Sequence, residues 1–94
     1  MDTLDIAVAE ARRVLGSLAT RPVQSRGTAA EMRSPLPAHF PAHGLPAADV
    51  VRAIAAAAEP GLTGSAGGRF FAWVKGGALP AALATDIMCS AWDQ

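Results

Sequence analysis

Few side chains in this sequence are equipped for chemistry, and they are scattered. Lys75 is its sole lysine, Cys89 its sole cysteine, and His39 and His43 its only histidines. The histidines stand four apart, the spacing that puts two metal ligands on one helical face, but Pro41 between them breaks such a helix. No cysteine or third histidine supplies a further ligand, so we read both as solvated loop residues and expect no metal site. Cys89 lies in an apolar stretch with no nearby His, which suits a small packing residue better than a nucleophile. The glycine loop Gly64, Ser65, Ala66, Gly67, Gly68 invites comparison with a phosphate cradle, and the comparison fails. It lacks the Gly-Lys-Ser/Thr ending of a phosphate-binding loop and precedes an extended segment where a dinucleotide site needs a helix. Asp86 is either a buried partner for Arg69 or Lys75 or the polar edge of its helix.

The elements that must position these residues follow from hydrophobic spacing. Arg69, Phe70, Phe71, Ala72, Trp73 and Val74 form an aromatic, β-branched run flanked by glycines, which predicts a short buried extended segment. Strand alternation would send Phe71 and Trp73 to the face opposite Phe70 and Ala72, and core packing accounts for the two phenylalanines. Gly76 and Gly77 then permit a tight turn, and Pro80 stands where a first helical turn tolerates a missing N–H. Beyond it Leu79, Leu83, Ile87, Ala91 and Trp92 recur at helical spacing, with Ala84, Met88 and Cys89 widening the face.

Residues 3–18 read as an amphipathic helix with Leu4, Ala7, Val8, Ala11, Val14, Leu15 and Leu18 on one stripe, capped by Asp2 or Thr3. A lone helix of this length is marginal in water, so its stripe must dock, either on its own domain or on a partner. Residues 20–44 have the composition of a linker: Pro22, Pro35, Pro37 and Pro41 interrupt helix, although residues 29–33 could hold one turn. Residues 45–59 form a further helix, opened by Pro46, with Asp49 in its first turn, and stopped by Pro60 and Gly61. The expected fold is mainly α: three helices, a long Pro/Gly-rich linker and one short extended aromatic segment.

Composition narrows the field further. Eight basic against eight acidic residues leave no net charge, which argues against a nucleic-acid or anionic-membrane surface. The longest apolar run, residues 76–92, is under about 20 residues and contains Pro80 and Asp86, which argues against a membrane span. One cysteine and an acidic, non-signal N-terminus point to a cytoplasmic setting. The hydrophobic share of 51% is inflated by alanine, and four of the five aromatics fall in the last third, so the chain is expected to need a partner surface.

The wording of residues 69–86, Arg-Phe-Phe-Ala-Trp-Val-Lys-Gly-Gly-Ala-Leu-Pro-Ala-Ala-Leu-Ala-Thr-Asp, closing on Ser90-Ala91-Trp92-Asp93-Gln94, resembles the N-terminal region of pyridoxal-phosphate-dependent group II amino-acid decarboxylases, most closely their bacterial members. Arg21, Pro22 and Val23 are similar to the short step after the first helix of that family. Gly68 departs from it, standing where a Pro or His is frequent. The resemblance implies that residues 1–19 are an arm pairing with the partner subunit of a homodimer. It also makes 20–44 a linker and 45–94 the start of an α/β fold-type I enzyme whose remaining chain follows Gln94. It implies an amino-acid substrate facing Trp73, Val74, Lys75 and Gly76.

The pyridoxal phosphate of such enzymes serves as the electron sink for the carbanion left when carbon dioxide departs. Its lysine, its pyridine-nitrogen acid and its phosphate donors are not found here, since Lys75 stands in the wrong motif. No catalytic residue is therefore assigned. The competing expectation is a small non-catalytic helical module whose exposed Val, Leu and Trp faces bind a partner.

Overall fold

The computed structural model describes residues 1–72 and 77–94. Among the described residues it is helical, with α1 (Thr3–Gly16), α2 (Ala29–Arg33), α3 (Ala47–Ala58) and α4 (Pro80–Trp92), and a single 3-10 turn at Glu59–Gly61. The mainly α expectation is met, with corrections. Four helices stand where three were expected, because residues 29–33 acquire a complete capping box. Thr28 Oγ1 accepts from the Glu31 N–H at 3.2 Å, and the Glu31 carboxylate accepts from the Thr28 N–H at 3.0 Å. Those two bonds satisfy orphan amides that would otherwise disfavour so short a helix.

The same device opens α1, where Asp2 and Asp5 accept from each other's backbone N–H at 2.9 and 3.0 Å. Asp2, not Thr3, is thus the cap. Helix α1 ends at Gly16, two residues short of expectation, and residues 17–20 continue as turns through bonds from the Ser17 N–H to the Val14 carbonyl and from the Thr20 N–H to the Ser17 carbonyl. Pro46 caps α3 and Pro80 occupies the first turn of α4, both positions where the absent N–H costs nothing. Asp93, at φ 58°, takes the left-handed conformation that closes α4, and the Gln94 N–H reaches the Cys89 carbonyl at 3.2 Å.

The extended aromatic segment is not realised as a strand over its described part. Arg69 lies in a turn, and the Phe70 N–H bonds the Gly67 carbonyl at 3.2 Å. Glycine density explains this: the run from Gly64 to Gly68 favours successive turns over a pleated edge with no second strand to pair. Gly77 has φ 77°, a left-handed conformation that glycine adopts freely, while Gly76, the other half of the expected turn, lies outside the described residues.

Helix α1 packs on α3, so the apolar stripe of α1 docks within its own chain. Val8, Ala11, Val14, Leu15 and, just past the helix, Leu18 are half-covered, whereas Leu4 and Ala7 stay exposed. No hydrophobic residue among those described is fully buried. The accessible surface is 7313 Å², about 2,200 Å² more than the roughly 5,100 Å² expected of a folded monomer of this mass. The radius of gyration, 15.1 Å, likewise exceeds the roughly 12.4 Å of a compact domain of this length. Alanine supplies much of the α1–α3 seam and removes little area per contact, so the two helices meet without enclosing a core.

Candidate functional site

The best-organised constellation is one that no motif announces. Glu59, at the end of α3, gathers three arginines. Its Oε2 accepts from Arg13 Nη2 at 2.7 Å, and its Oε1 meets Arg21 Nη2 at 3.0 Å and Arg26 Nη2 at 3.6 Å. Arg13 also forks onto Glu10, with Nε to Oε2 at 2.8 Å and Nη2 to Oε1 at 2.6 Å.

Among the described residues, Arg21 is the one charged residue that is buried, at 8% exposure. Its Nε donates to Ser17 Oγ at 2.7 Å, and that hydroxyl donates on to the Val14 carbonyl at 2.7 Å. Hydrogen bonding from Arg13 holds the Glu59 carboxyl below its ordinary value, with the charges of Arg13, Arg21 and Arg26 acting in the same sense. Glu10 is lowered for the same first reason, its bond from Arg13. The charges of the cluster are directed at one another, so it clamps the end of α1, the following turn and the end of α3 together.

A second clamp holds the glycine loop. Arg69 Nη2 donates to the carbonyls of Leu18 and Arg21, the former at 3.0 Å. A cation at these carbonyls, just past the end of α1, also complements the negative end of the helix dipole. The Gly64 N–H bonds the Val23 carbonyl at 2.9 Å and the Gly67 N–H bonds the Gly64 carbonyl at 3.1 Å. Two of the loop's five amides are thus engaged within the chain, and a turn follows where a phosphate site would use a helix N-terminus.

Trp73, Val74, Lys75 and Gly76, the residues expected to face a substrate, lie outside the described residues. Their described neighbours place Phe71 in the open, at 92% exposure, and Phe70 half-covered. Core packing therefore does not account for Phe71 within this chain. His39 and His43 are exposed in an irregular loop, and no group of three or more His, Cys, Asp or Glu able to hold a metal occurs among the described residues. Cys89 is half-buried on α4. Asp86 is exposed and Arg69 is committed to carbonyls, which removes that pairing.

The described residues do not fit pyridoxal phosphate. They contain no lysine to carry it, and the acidic residues of α4 and its cap, Asp86 and Asp93, are exposed where a pyridinium partner would need shelter. Two grooves flank the α1–α3 contact. One, of about 600 Å³, runs past Ile6, Glu10, Arg13, Arg52 and Glu59. The other, of about 380 Å³, is apolar but for Glu10, and brings Val14, Leu15, Ile54, Leu62 and Leu83 together where α4 begins. No helix among the described residues is long and apolar enough to cross a membrane.

The Arg–Glu59 cluster escaped sequence reading because its members span positions 13 to 59 and belong to three segments. The signals were an arginine-rich stretch after α1 and a lone glutamate ending an alanine helix, neither of which names a partner. Comparison with family models, with curated proteins and with solved structures yields no match for this chain.

Proposed function

We propose that this chain is the N-terminal part of a pyridoxal-phosphate-dependent amino-acid decarboxylase, a cytoplasmic carboxy-lyase of group II type and α/β fold-type I architecture, acting as a homodimer. In this reading it supplies subunit interface through its N-terminal helices and one wall of the substrate pocket through Trp73, Val74, Lys75 and Gly76. It is inactive alone, because the cofactor's binding residues belong to the rest of the enzyme. The observation that carries the proposal is the open apolar surface around the resembling stretch: Phe71 is 92% exposed, Leu79 68% and Trp92 60%. Side chains of this kind on a chain without a core are suited to be covered by more protein. The wording of residues 69–86 supplies the identity of that protein as a decarboxylase.

The test is the reading frame downstream of Gln94. A lysine-bearing large domain is expected there, and a stop codon directly after Gln94 would sink the proposal. In the protein carrying that frame, Trp73→Ala is expected to raise KM for the amino acid more than it lowers kcat. Pyridoxal phosphate added to these 94 residues alone should give no internal-aldimine absorbance.

A second reading, a non-catalytic helical interaction module, is favoured by one observation. Helix α1 folds back on α3 and locks there through Glu59, so the chain organises part of itself without help. A stop after Gln94 together with a cooperatively melting product would select it.

A further inference from the structure

Residues 34–46, between α2 and α3, are open throughout. Every one of them is exposed, none lies in a helix or strand, and Phe40 stands fully in solvent at 101% exposure. The Leu36 N–H bonds the Arg33 carbonyl and the Pro46 carbonyl accepts from α3, but among the described residues no hydrogen bond holds residues 37–45. An endoprotease takes its substrate as an extended strand with free backbone groups, so cutting of the folded chain should concentrate in such a segment.

The sequence of the segment restricts which enzyme can cut. It has no Lys, Arg, Asp or Glu, and the side chains that could fill a large apolar specificity pocket are Leu36, Phe40 and Leu45. Each of the three is followed by proline, as Leu36-Pro37, Phe40-Pro41 and Leu45-Pro46. Proline has no N–H, and its ring crowds the leaving nitrogen to which the enzyme must deliver a proton, so enzymes that read the residue before the cut stall there. The same prolines offer different bonds, Pro37 to Ala38 and Pro41 to Ala42, whose leaving nitrogen is an ordinary N–H and whose proline carbonyl accepts no hydrogen bond within the described chain. The other prolines are occupied. The Pro46 carbonyl accepts from Asp49 and Val50, the Pro60 carbonyl from Arg26 and Gly27, Pro80 lies in α4, and Val23 after Pro22 is held by the Gly64 N–H at 2.9 Å.

We propose that residues 34–46 are a selective processing site, refractory to endoproteases that need a large apolar residue before the cut and open to one that cuts after proline. In the cut, the oxygen of water bonds to the Pro41 carbonyl carbon and the bond to the Ala42 nitrogen breaks. The products are a carboxylate on Pro41 and an amine on Ala42, and a cut after Pro37 follows the same course. The cut separates the partners of both clamps, since Arg13 and Arg21 lie before it, and Glu59 and Arg69 after it. Cleavage therefore turns the α1–α3 contact from an intramolecular one, favoured by an effective concentration on the order of mM, into one that dilution dissociates. This site does not rest on the decarboxylase reading.

The experiment treats the whole chain with chymotrypsin, and separately with a post-proline endoprotease that accepts whole proteins, and maps the cuts by mass spectrometry over time. Phe71, 92% exposed and followed by Ala72, is the internal control. Chymotrypsin should cut after Phe71 while sparing Leu36, Phe40 and Leu45, and the post-proline enzyme should cut first after Pro37 or Pro41. Pro41→Ala should bring cutting after Phe40 to within about tenfold of that after Phe71, because both phenylalanines are open and neither cut waits on unfolding. On size-exclusion chromatography the post-proline product should run as one species at high concentration and as two on dilution. A Pro41→Ala chain that stays intact after Phe40 overturns the proposal, because shelter and not proline then guards the segment. So does a post-proline enzyme that cuts first elsewhere, or a pair of pieces that runs apart at every concentration.

Discussion

At the scale of single residues, stability turns on Arg21 and Glu59. Arg21 is buried and keeps its charge in company through Glu59 Oε1 and Ser17 Oγ. Arg21→Ala is expected to lower unfolding free energy by about 1–2 kcal/mol, the cost of breaking a buried pair discounted for a partner that water still reaches. Urea denaturation of the variant against the parent measures it. Glu59 gives the pH dependence its sign. Its folded carboxyl sits below its ordinary value of 4.5, chiefly through the bond from Arg13. The native state therefore holds fewer protons there than the unfolded one. Its contribution is present above 4.5 and is lost as pH falls through the lower folded value. Glu59→Gln should be less stable than the parent at neutral pH, and the gap between their denaturation midpoints should close on acidification below 4.5. A gap that holds constant with pH would show that the carboxylate does not act through its charge.

At the scale of elements, α2 is held by shape more than by burial. The side chain of Met32 fills the space over two glycines: a methyl added at Gly61 would sit 2.5 Å from Met32 Cε, and one at Gly27 would sit 2.8 Å from Met32 Sδ. Gly61→Ala should therefore force Met32 off its rotamer at about 0.5–1.5 kcal/mol, set against a comparable gain from a stiffer unfolded chain. The single variant comes out near neutral, whereas in a Met32→Ala background only the gain remains. A double-mutant cycle in thermal or urea unfolding reads this coupling, and additive effects would dismiss it. Much at this scale was legible from spacing: the starts of α1, α3 and α4 follow from Asp2, Pro46 and Pro80, and the stop of α3 from Pro60 and Gly61. Helix α2 was legible only as one turn, because its stability comes from reciprocal bonds between Thr28 and Glu31 that a linker composition conceals. On α4 the periodicity marked one wide apolar face, whereas the fold divides it into an inner edge at Leu83 and Ile87 and an outer stripe ending at Trp92. Periodicity reports which residues avoid water and is silent on how many neighbours they have. The aromatic run failed as a strand for a related reason, since β propensity at Phe70 and Phe71 needs a partner edge that no other segment in the described chain supplies.

For the whole molecule the governing fact is surface left uncovered. The chain removes about 47% of the roughly 13,900 Å² its extended form would expose, where a single compact domain near this size removes about 60–65%. Hydrophobic stabilisation and the denaturant slope both scale with that removed area, while the backbone entropy lost per ordered residue does not shrink with it. The ordered state of the isolated chain must then sit close to balance, with the Glu59 and Arg69 clamps supplying specificity that a core would ordinarily provide. The urea m-value should be about three-quarters of that of a compact domain of equal length, with a broad transition and strong binding of a hydrophobic dye before unfolding begins. Burying the open faces reverses each of these signs. Covering Phe71, Leu79 and Trp92 with further protein should steepen the transition and quench the dye together, because one area change drives both. A steep transition in dilute monomer without dye binding would mean that the exposed apolar side chains find cover within the chain itself, and the partner-dependent account would fall.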